Sequence, residues 1–208
     1  MESKKTKIIL MRHAESKANA DGIYQGQKFD TGLSDSGRLQ ATAVAGYLKS
    51  FGFTKIFTSI YPRAIETAAY VKNFYPEVPC FELKELNERF IGAVEGTPKD
   101  EFAKKYAHIL ADWHNEIDTR PEGGESFEDV HKRVAPLIEK HVLENAGKNL
   151  LYVIHGNVNR ILIGHALGIP YGKQMRIRQD YCALNSMVYD HARDRWEVEY
   201  INFVNYVL

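Results

Sequence analysis

Two uninterrupted apolar runs, Ile8-Ile9-Leu10-Met11 and Leu150-Leu151-Tyr152-Val153-Ile154, constrain the fold more than any other feature of this chain. A strand with one wet face alternates apolar and polar residues, whereas a strand covered on both faces reads as a continuous apolar run. Neither run approaches the roughly 20 apolar residues of a membrane span. Helix-like and strand-like segments alternate along the rest of the chain, the pattern of a layered α/β fold. The expected architecture is a three-layer α/β/α sandwich with a mostly parallel central sheet and an antiparallel edge strand. A single domain over residues 1–208 accommodates it.

Local signals fill in the layers. Ser34 reads as the N-cap of a helix with Leu39, Ala43, Tyr47, Leu48 and Phe51 at helical spacing, ending near Gly52. Lys55–Thr58 is a short strand, and a helix follows from Arg63 to Phe74, stopped before Pro76. Pro79–Leu83 reads as a further strand. Thr97 is placed to cap a helix with proline in its first turn, and residues 97–116 read as one amphipathic helix. Ser126 repeats the capping pattern before a long helix towards Gly147, in which Pro136 predicts a kink or a break. Asn157–Leu167 reads as helix, and Ser186–Tyr189 and Trp196–Ile201 as a hairpin at one sheet edge. Lys17–Gly32 reads as a polar loop.

Charge excludes whole classes of partner. Lys plus Arg and Asp plus Glu number 27 each, so no global field draws the chain to nucleic acid or to an anionic membrane. Any affinity for anions must come from a local cluster. Cys80 and Cys182 make no disulfide framework, which points to a free-thiol cytoplasmic protein. The charged opening Met1–Lys7 precedes too short an apolar run for a secretory signal. An aromatic content of 12% accommodates a homodimer interface as readily as a larger core.

The two apolar runs also locate the chemistry. The first ends in Arg12-His13 and the second in His155-Gly156. Parallel strands bring their C-terminal ends to one rim, where ligands of open α/β sheets bind, so the two histidines are expected to converge. Arg63 opens the helix after the strand Lys55–Thr58 and is expected at the same rim, although a solvated arginine with a packed stem reads equally from the residues. Glu88 lies in Leu86–Gly96, whose glycines and apolar residues read as an ordered loop. An ion pair with Arg89 is the alternative there. The eight histidines show no metal-binding spacing, and neither a metal nor a cofactor is expected.

The segments RHAES (Arg12–Ser16), TSIYPRAIETA (Thr58–Ala68), LNERFIGAVEG (Leu86–Gly96) and VIHGNVNR (Val153–Arg160), in this order, resemble the histidine phosphatase superfamily, also called phosphoglycerate-mutase-like. The run Gly123–Ser126 fits it too. The resemblance implies that His13 accepts a phosphoryl group as nucleophile. Arg12, Arg63 and His155 would bind the phosphoryl oxygens with Asn19 as a further polar contact, and Glu88 would protonate the leaving oxygen. Those roles suit the residue types. Guanidinium groups offer fixed planar donors to phosphate oxygens. A nucleophilic histidine must be neutral, whereas its partner is free to be cationic. Adjacency to these residues adds Gln25, Gly26, Arg89, Gly156 and Asn157 on the substrate side, with Arg89 equally readable as a structural ion-pair partner. The implied partner is a small phosphorylated metabolite.

Within the resemblance, the expected activity is that of a phosphomonoesterase of the histidine acid phosphatase type. The mutases are longer, with an inserted basic segment after the GAVEG-like run, and carry a tyrosine where Phe90-Ile91 stands here. A cofactor-dependent phosphoglycerate mutase and a non-catalytic phosphate-binding regulator are the alternatives. Ala14 stands where glycine is usual, as in some family members, and bears on substrate subclass. Other short matches point separately to sugar bisphosphatases, α-ribazole phosphatases and phosphoserine phosphatases, so the substrate stays open.

Overall fold

The computed structural model describes residues 4–206. Six strands form one sheet in the order β3-β2-β4-β1-β5-β6. These are β1 (Lys5–Arg12), β2 (Phe53–Thr58), β3 (Cys80–Glu82), β4 (Asn149–Ile154), β5 (Leu184–Asp190) and β6 (Arg195–Phe203). The first four are mutually parallel, and β5 pairs antiparallel with both β1 and β6, which makes the expected hairpin at the sheet edge. Among the described residues no helix is long and apolar enough to cross a membrane.

The continuous apolar runs are the two central strands, and their two-residue period divides them between two cores. Ile8 and Leu10 of β1, with Leu150, Tyr152 and Ile154 of β4, pack against α6 (Phe127–Glu144) and α7 (Gly156–Leu167). Ile9 and Met11, with Leu151 and Val153, pack on the opposite face against α2 (Asp35–Leu48) and α3 (Pro62–Lys72). These nine side chains are at most 1% exposed. Full burial of side chains of this size contributes about 1.5–3 kcal/mol each, so a charge within either apolar run is intolerable and the charged residues of β1 lie on either side of its run. A third apolar cluster, Ile91, Val94, Phe102 and Ile109, lies under the loops beside that rim.

Several local expectations need correction. The polar loop after β1 contains one helical turn, α1 (Lys17–Ala20), because Ser16 and Asn19 form a reciprocal capping box. Helix α2 is capped by Ser34 as expected, but its buried stripe is Gly37, Ala41, Val44, Ala45 and Leu48, and Leu39 is 74% exposed. Of the residues chosen from the sequence, Leu48 alone belongs to that stripe. The small residues of the stripe lie inward because the helix packs closely, and a Cβ on Gly37 would stand 2.0 Å from the Glu15 carbonyl oxygen.

The segment 97–116 is not one helix. It divides into α4 (Lys99–Lys105) and α5 (Ala107–His114) at Tyr106, which leaves helical dihedrals and donates its hydroxyl to the Ala93 carbonyl. Pro98, not Thr97, occupies the cap position of α4. Helix α6 keeps the predicted Ser126 cap, with Asp129 completing a capping box, and continues through Pro136 without a break.

Candidate active site

Strand register carries the chemistry to one rim. Arg12 lies opposite Ile154 across the β1–β4 ladder, and Thr58 opposite Val153 across β2–β4. The next residues, His13, Ser59 and His155, therefore leave the sheet side by side. Ten of the eleven residues singled out from the sequence line a single cavity of about 200 Å³ there: Arg12, His13, Asn19, Gln25, Gly26, Arg63, Glu88, Arg89, Gly156 and Asn157. The eleventh, His155, is fully buried behind it, its ring centroid 5.2 Å from that of His13.

His13 is held in one protonation state and one tautomer. Its Nδ1 lies 2.7 Å from the Ala14 carbonyl oxygen, which only accepts, so Nδ1 carries the hydrogen. Nε2 is left with its lone pair. Burial, then Arg63 and Arg12, push the pKa of His13 well below the usual histidine range. Ala14 itself is fully buried, its N–H donating to Thr67 Oγ1. The methyl group in place of the usual hydrogen is thus accommodated within the core.

The two arginines are fixed by different means. Arg63, on the first turn of α3, is 1% exposed. Its Nη1 donates to Asp30 Oδ1 at 2.5 Å and its Nη2 to the Gly26 carbonyl at 3.0 Å. Arg12 donates from Nη1 to the Gln179 carbonyl at 2.7 Å and lies 4.2 Å from the centroid of the Tyr181 ring. In both arginines Nε is buried without a hydrogen-bond partner. Buried unsatisfied donors are costly and few in native proteins, and an anion is what two such donors on cationic groups fit. The N-terminus of α7, beginning at Gly156, adds the positive end of a helix dipole.

Gln25 follows the same logic. Ser16 Oγ accepts from the Asn19 N–H, so its own hydrogen goes to the Gln25 side chain 2.7 Å away, which must present Oε1. Nε2 is thereby turned away, buried and unpartnered, on a residue that lines the cavity. Gly26 has φ of +55°, and a Cβ there would lie 1.9 Å from Glu95 Oε1. That carboxylate is not free to retreat, because it accepts from the Gln27 and Lys28 N–H groups at 2.7 Å each. Gly26→Ala is expected to destabilise the fold by about 1–3 kcal/mol, read as a lower urea midpoint.

Glu88 reaches the cavity with Oε1 accepting from the Arg89 N–H at 2.7 Å and Oε2 accepting from the Asn157 N–H at 3.4 Å. Oε2 is the more loosely held oxygen. Arg89 makes no ion pair with Glu88. Its guanidinium donates to the Glu125 and Thr119 carbonyls and lies against the rings of Phe127 and Trp113. Burial pushes its pKa down to about 10. Its side chain ties the Glu88 loop to the segment before α6 through backbone carbonyls, and the ion pair offered as its structural alternative is not formed among the described residues.

His155 differs from the cation that its expected role allowed. Burial, then Arg63 and His13, push its pKa well below the usual range. The neutral ring meets Ser59 Oγ through Nε2 at 2.7 Å, while Nδ1 has no partner. Asn19 turns its Oδ1 back to the Ser16 N–H at 3.4 Å, and Asn157 accepts from Arg160 at 2.9 Å.

Sequence reasoning missed Ser59, Asp30, Lys99, Arg160 and Tyr181, of which the last three line the cavity. Arg160 was discoverable, since it shares a helix face with Gly156 and Asn157 at three- and four-residue spacing. Asp30 and Tyr181 sit in loops and carry no periodic signal.

The family model of the histidine phosphatase superfamily (branch 1) matches residues 8–203. A 2,3-bisphosphoglycerate-dependent phosphoglycerate mutase 2 from Gloeobacter violaceus is 31% identical over 192 residues, 90% of this chain and 86% of that protein. The fructose-2,6-bisphosphatase TIGAR B of Danio rerio is 37% identical over 187 residues, 82% of this chain and 72% of its own length. The crystal structure of the α-ribazole phosphatase from Shigella flexneri superposes with a TM-score of 0.81 at 27% identity, covering 95% of this chain and 96% of that one. These matches correct the acid-phosphatase type expected from the sequence, because histidine acid phosphatases are a different family. The four ordered motifs, the rim on which they meet and the family model all agree, and the chain belongs to branch 1 of the histidine phosphatase superfamily.

Proposed function

We propose that this protein is a phosphatase that hydrolyses a small phosphomonoester through a phosphohistidine on His13. The observation that carries the proposal is the pairing of a neutral His13, its Nδ1–H committed to Ala14, with buried unpartnered N–H groups on Arg12 and Arg63. His13 Nε2 attacks phosphorus in line, and the bond from phosphorus to the ester oxygen breaks as Glu88 delivers its proton to that oxygen. The transferring group's charge is met by the two guanidinium groups and the start of α7. Water then attacks the phosphohistidine, Glu88 takes its proton, and inorganic phosphate leaves a regenerated His13.

A cavity of about 200 Å³ supports a small leaving group. It falls below the roughly 300–1,000 Å³ of sites for drug-sized ligands. The α-ribazole phosphatase and the fructose-2,6-bisphosphatase are the phosphatase likenesses that favour hydrolysis. The Gloeobacter violaceus relative favours the second reading, a phosphoglycerate mutase. A screen of small phosphomonoesters, with 3-phosphoglycerate plus a bisphosphoglycerate primer as one arm, separates the two. Phosphate release above isomerisation is expected, and isomerisation well above release would overturn hydrolysis as the main activity.

Glu88→Gln tests the proton transfer. It is expected to slow hydrolysis of alkyl phosphates by about 10²–10⁴-fold and to change p-nitrophenyl phosphate hydrolysis far less, because that phenolate leaves without protonation. Equal losses on both substrates would remove Glu88 from the role.

A further inference from the structure

We infer that Ser59 sets the tautomer of His155, donating its hydroxyl hydrogen to Nε2 so that Nδ1–H is the group offered to a phosphoryl oxygen. The inference rests on the phosphoryl-binding reading of this site and adds a positioning residue to it.

The argument is one of counting hydrogens. Ser59 and His155 are both 0% exposed, and Ser59 Oγ lies 2.7 Å from Nε2. Ser59 Oγ already accepts from the Tyr61 N–H at 3.4 Å. Among the described residues, Nε2 is the one acceptor within hydrogen-bond reach of its own hydrogen. If the hydroxyl donates to Nε2, Ser59 is satisfied and a single group is left without a partner, the His155 Nδ1–H. If Nε2–H donates instead, two buried groups are left over, the serine hydrogen and the Nδ1 lone pair. Each such orphan costs about 1–3 kcal/mol, so the first arrangement is favoured.

The remaining orphan also has the right sign. A lone pair turned towards phosphoryl oxygens repels them, whereas an N–H donates to them. The choice matters because the ring is neutral and has only one hydrogen to place. The charged and titratable groups facing it are His13 and Arg12 from the end of β1, Arg63 and Tyr61 from the start of α3, and Arg133 from α6. All but Tyr61 disfavour a second ring proton. Tautomer selection by Ser59, and not protonation, therefore makes His155 a donor.

The test uses inorganic phosphate as probe, measuring its inhibition constant against p-nitrophenyl phosphate hydrolysis across pH. Ser59→Ala is expected to weaken phosphate binding about tenfold or more, and Ser59→Thr to restore it. Because the ring stays neutral, the wild-type-to-variant ratio is expected to hold constant with pH, and taking the ratio cancels the effect of pH on His13. A ratio that falls to one as pH falls would make protonation, not the tautomer, the source of the donor; that result, or failure of threonine to rescue a folded variant, overturns the role of Ser59. His155→Ala keeps the two failures apart. If it leaves phosphate affinity unchanged, the phosphoryl-binding role of His155 fails. If it weakens binding while Ser59→Ala does not, only the tautomer assignment fails.

Discussion

His13→Ala is expected to lower phosphate release by about four orders of magnitude or more while leaving the fold intact and phosphate bound. The substitution removes the nitrogen whose lone pair is free, and no neighbouring group can take over. His155 is buried, with one nitrogen committed to Ser59, and the arginines are not nucleophiles. The structural loss is modest. His13 gives up one hydrogen bond to the Ala14 carbonyl at a chain position beside the cavity, worth about 1 kcal/mol. Thermal unfolding of the variant should therefore stay close to that of the wild type, and inorganic phosphate should still bind through Arg12 and Arg63. Phosphate release from purified variant, with inhibition by phosphate as the binding readout, checks both halves.

Arg63→Ala is expected to damage activity and stability together. Its guanidinium is 1% exposed and paired with Asp30, whose side chain is 12% exposed. Removing one partner of a buried pair abandons the other charge, at about 3–5 kcal/mol. The lower end applies here, because Asp30 is partly open to water and the stranded carboxylate keeps some hydration. The Gly26 carbonyl loses its donor as well.

Activity should fall by about 10²–10⁴-fold from loss of a preorganised donor to the transferring group. Lysine is not expected to rescue, since a point charge cannot hold Asp30 and Gly26 while presenting Nε. Arg12→Ala is the contrast. Arg12 is anchored to the Gln179 carbonyl and the Tyr181 ring, so its loss should lower activity without a matching fall in stability. Urea denaturation beside kcat/KM reads the pair, and equal stability losses would contradict the different anchoring of the two arginines.

The sequence made the sheet and the rim legible because both follow from one-dimensional patterns. Unbroken apolar runs become β1 and β4, their alternate residues divide between two cores, and the polar residue after each run arrives at the same edge. Ser34 and Ser126 were readable as caps because the chemistry of capping is local. What failed depended on neighbours distant in sequence. Leu39 looked apolar and inward, but the close approach of the Glu15 backbone to Gly37 turns a different stripe to the core. Tyr106 interrupts a helical pattern because its hydroxyl finds the Ala93 carbonyl.

The site shows the same division. The motif residues were visible, but the groups that fix them were not. Asp30 holds Arg63 from a loop of no distinct pattern, and Tyr181 reaches Arg12 from the loop before β5. Whether Arg89 faced substrate or scaffold depended on where the Glu125 and Thr119 carbonyls lie, which no local pattern in residues 86–96 discloses.

The central claim is a phosphoryl group carried on His13, and rapid-quench labelling tests it most directly. The enzyme is mixed with a ³²P-labelled phosphomonoester that it hydrolyses, quenched in base within a turnover, digested, and the labelled peptide sequenced. The account predicts acid-labile, base-stable label on the peptide containing His13, absent from His13→Ala. Turnover with no labelled histidine at any quench time, or label that persists in His13→Ala, would contradict it.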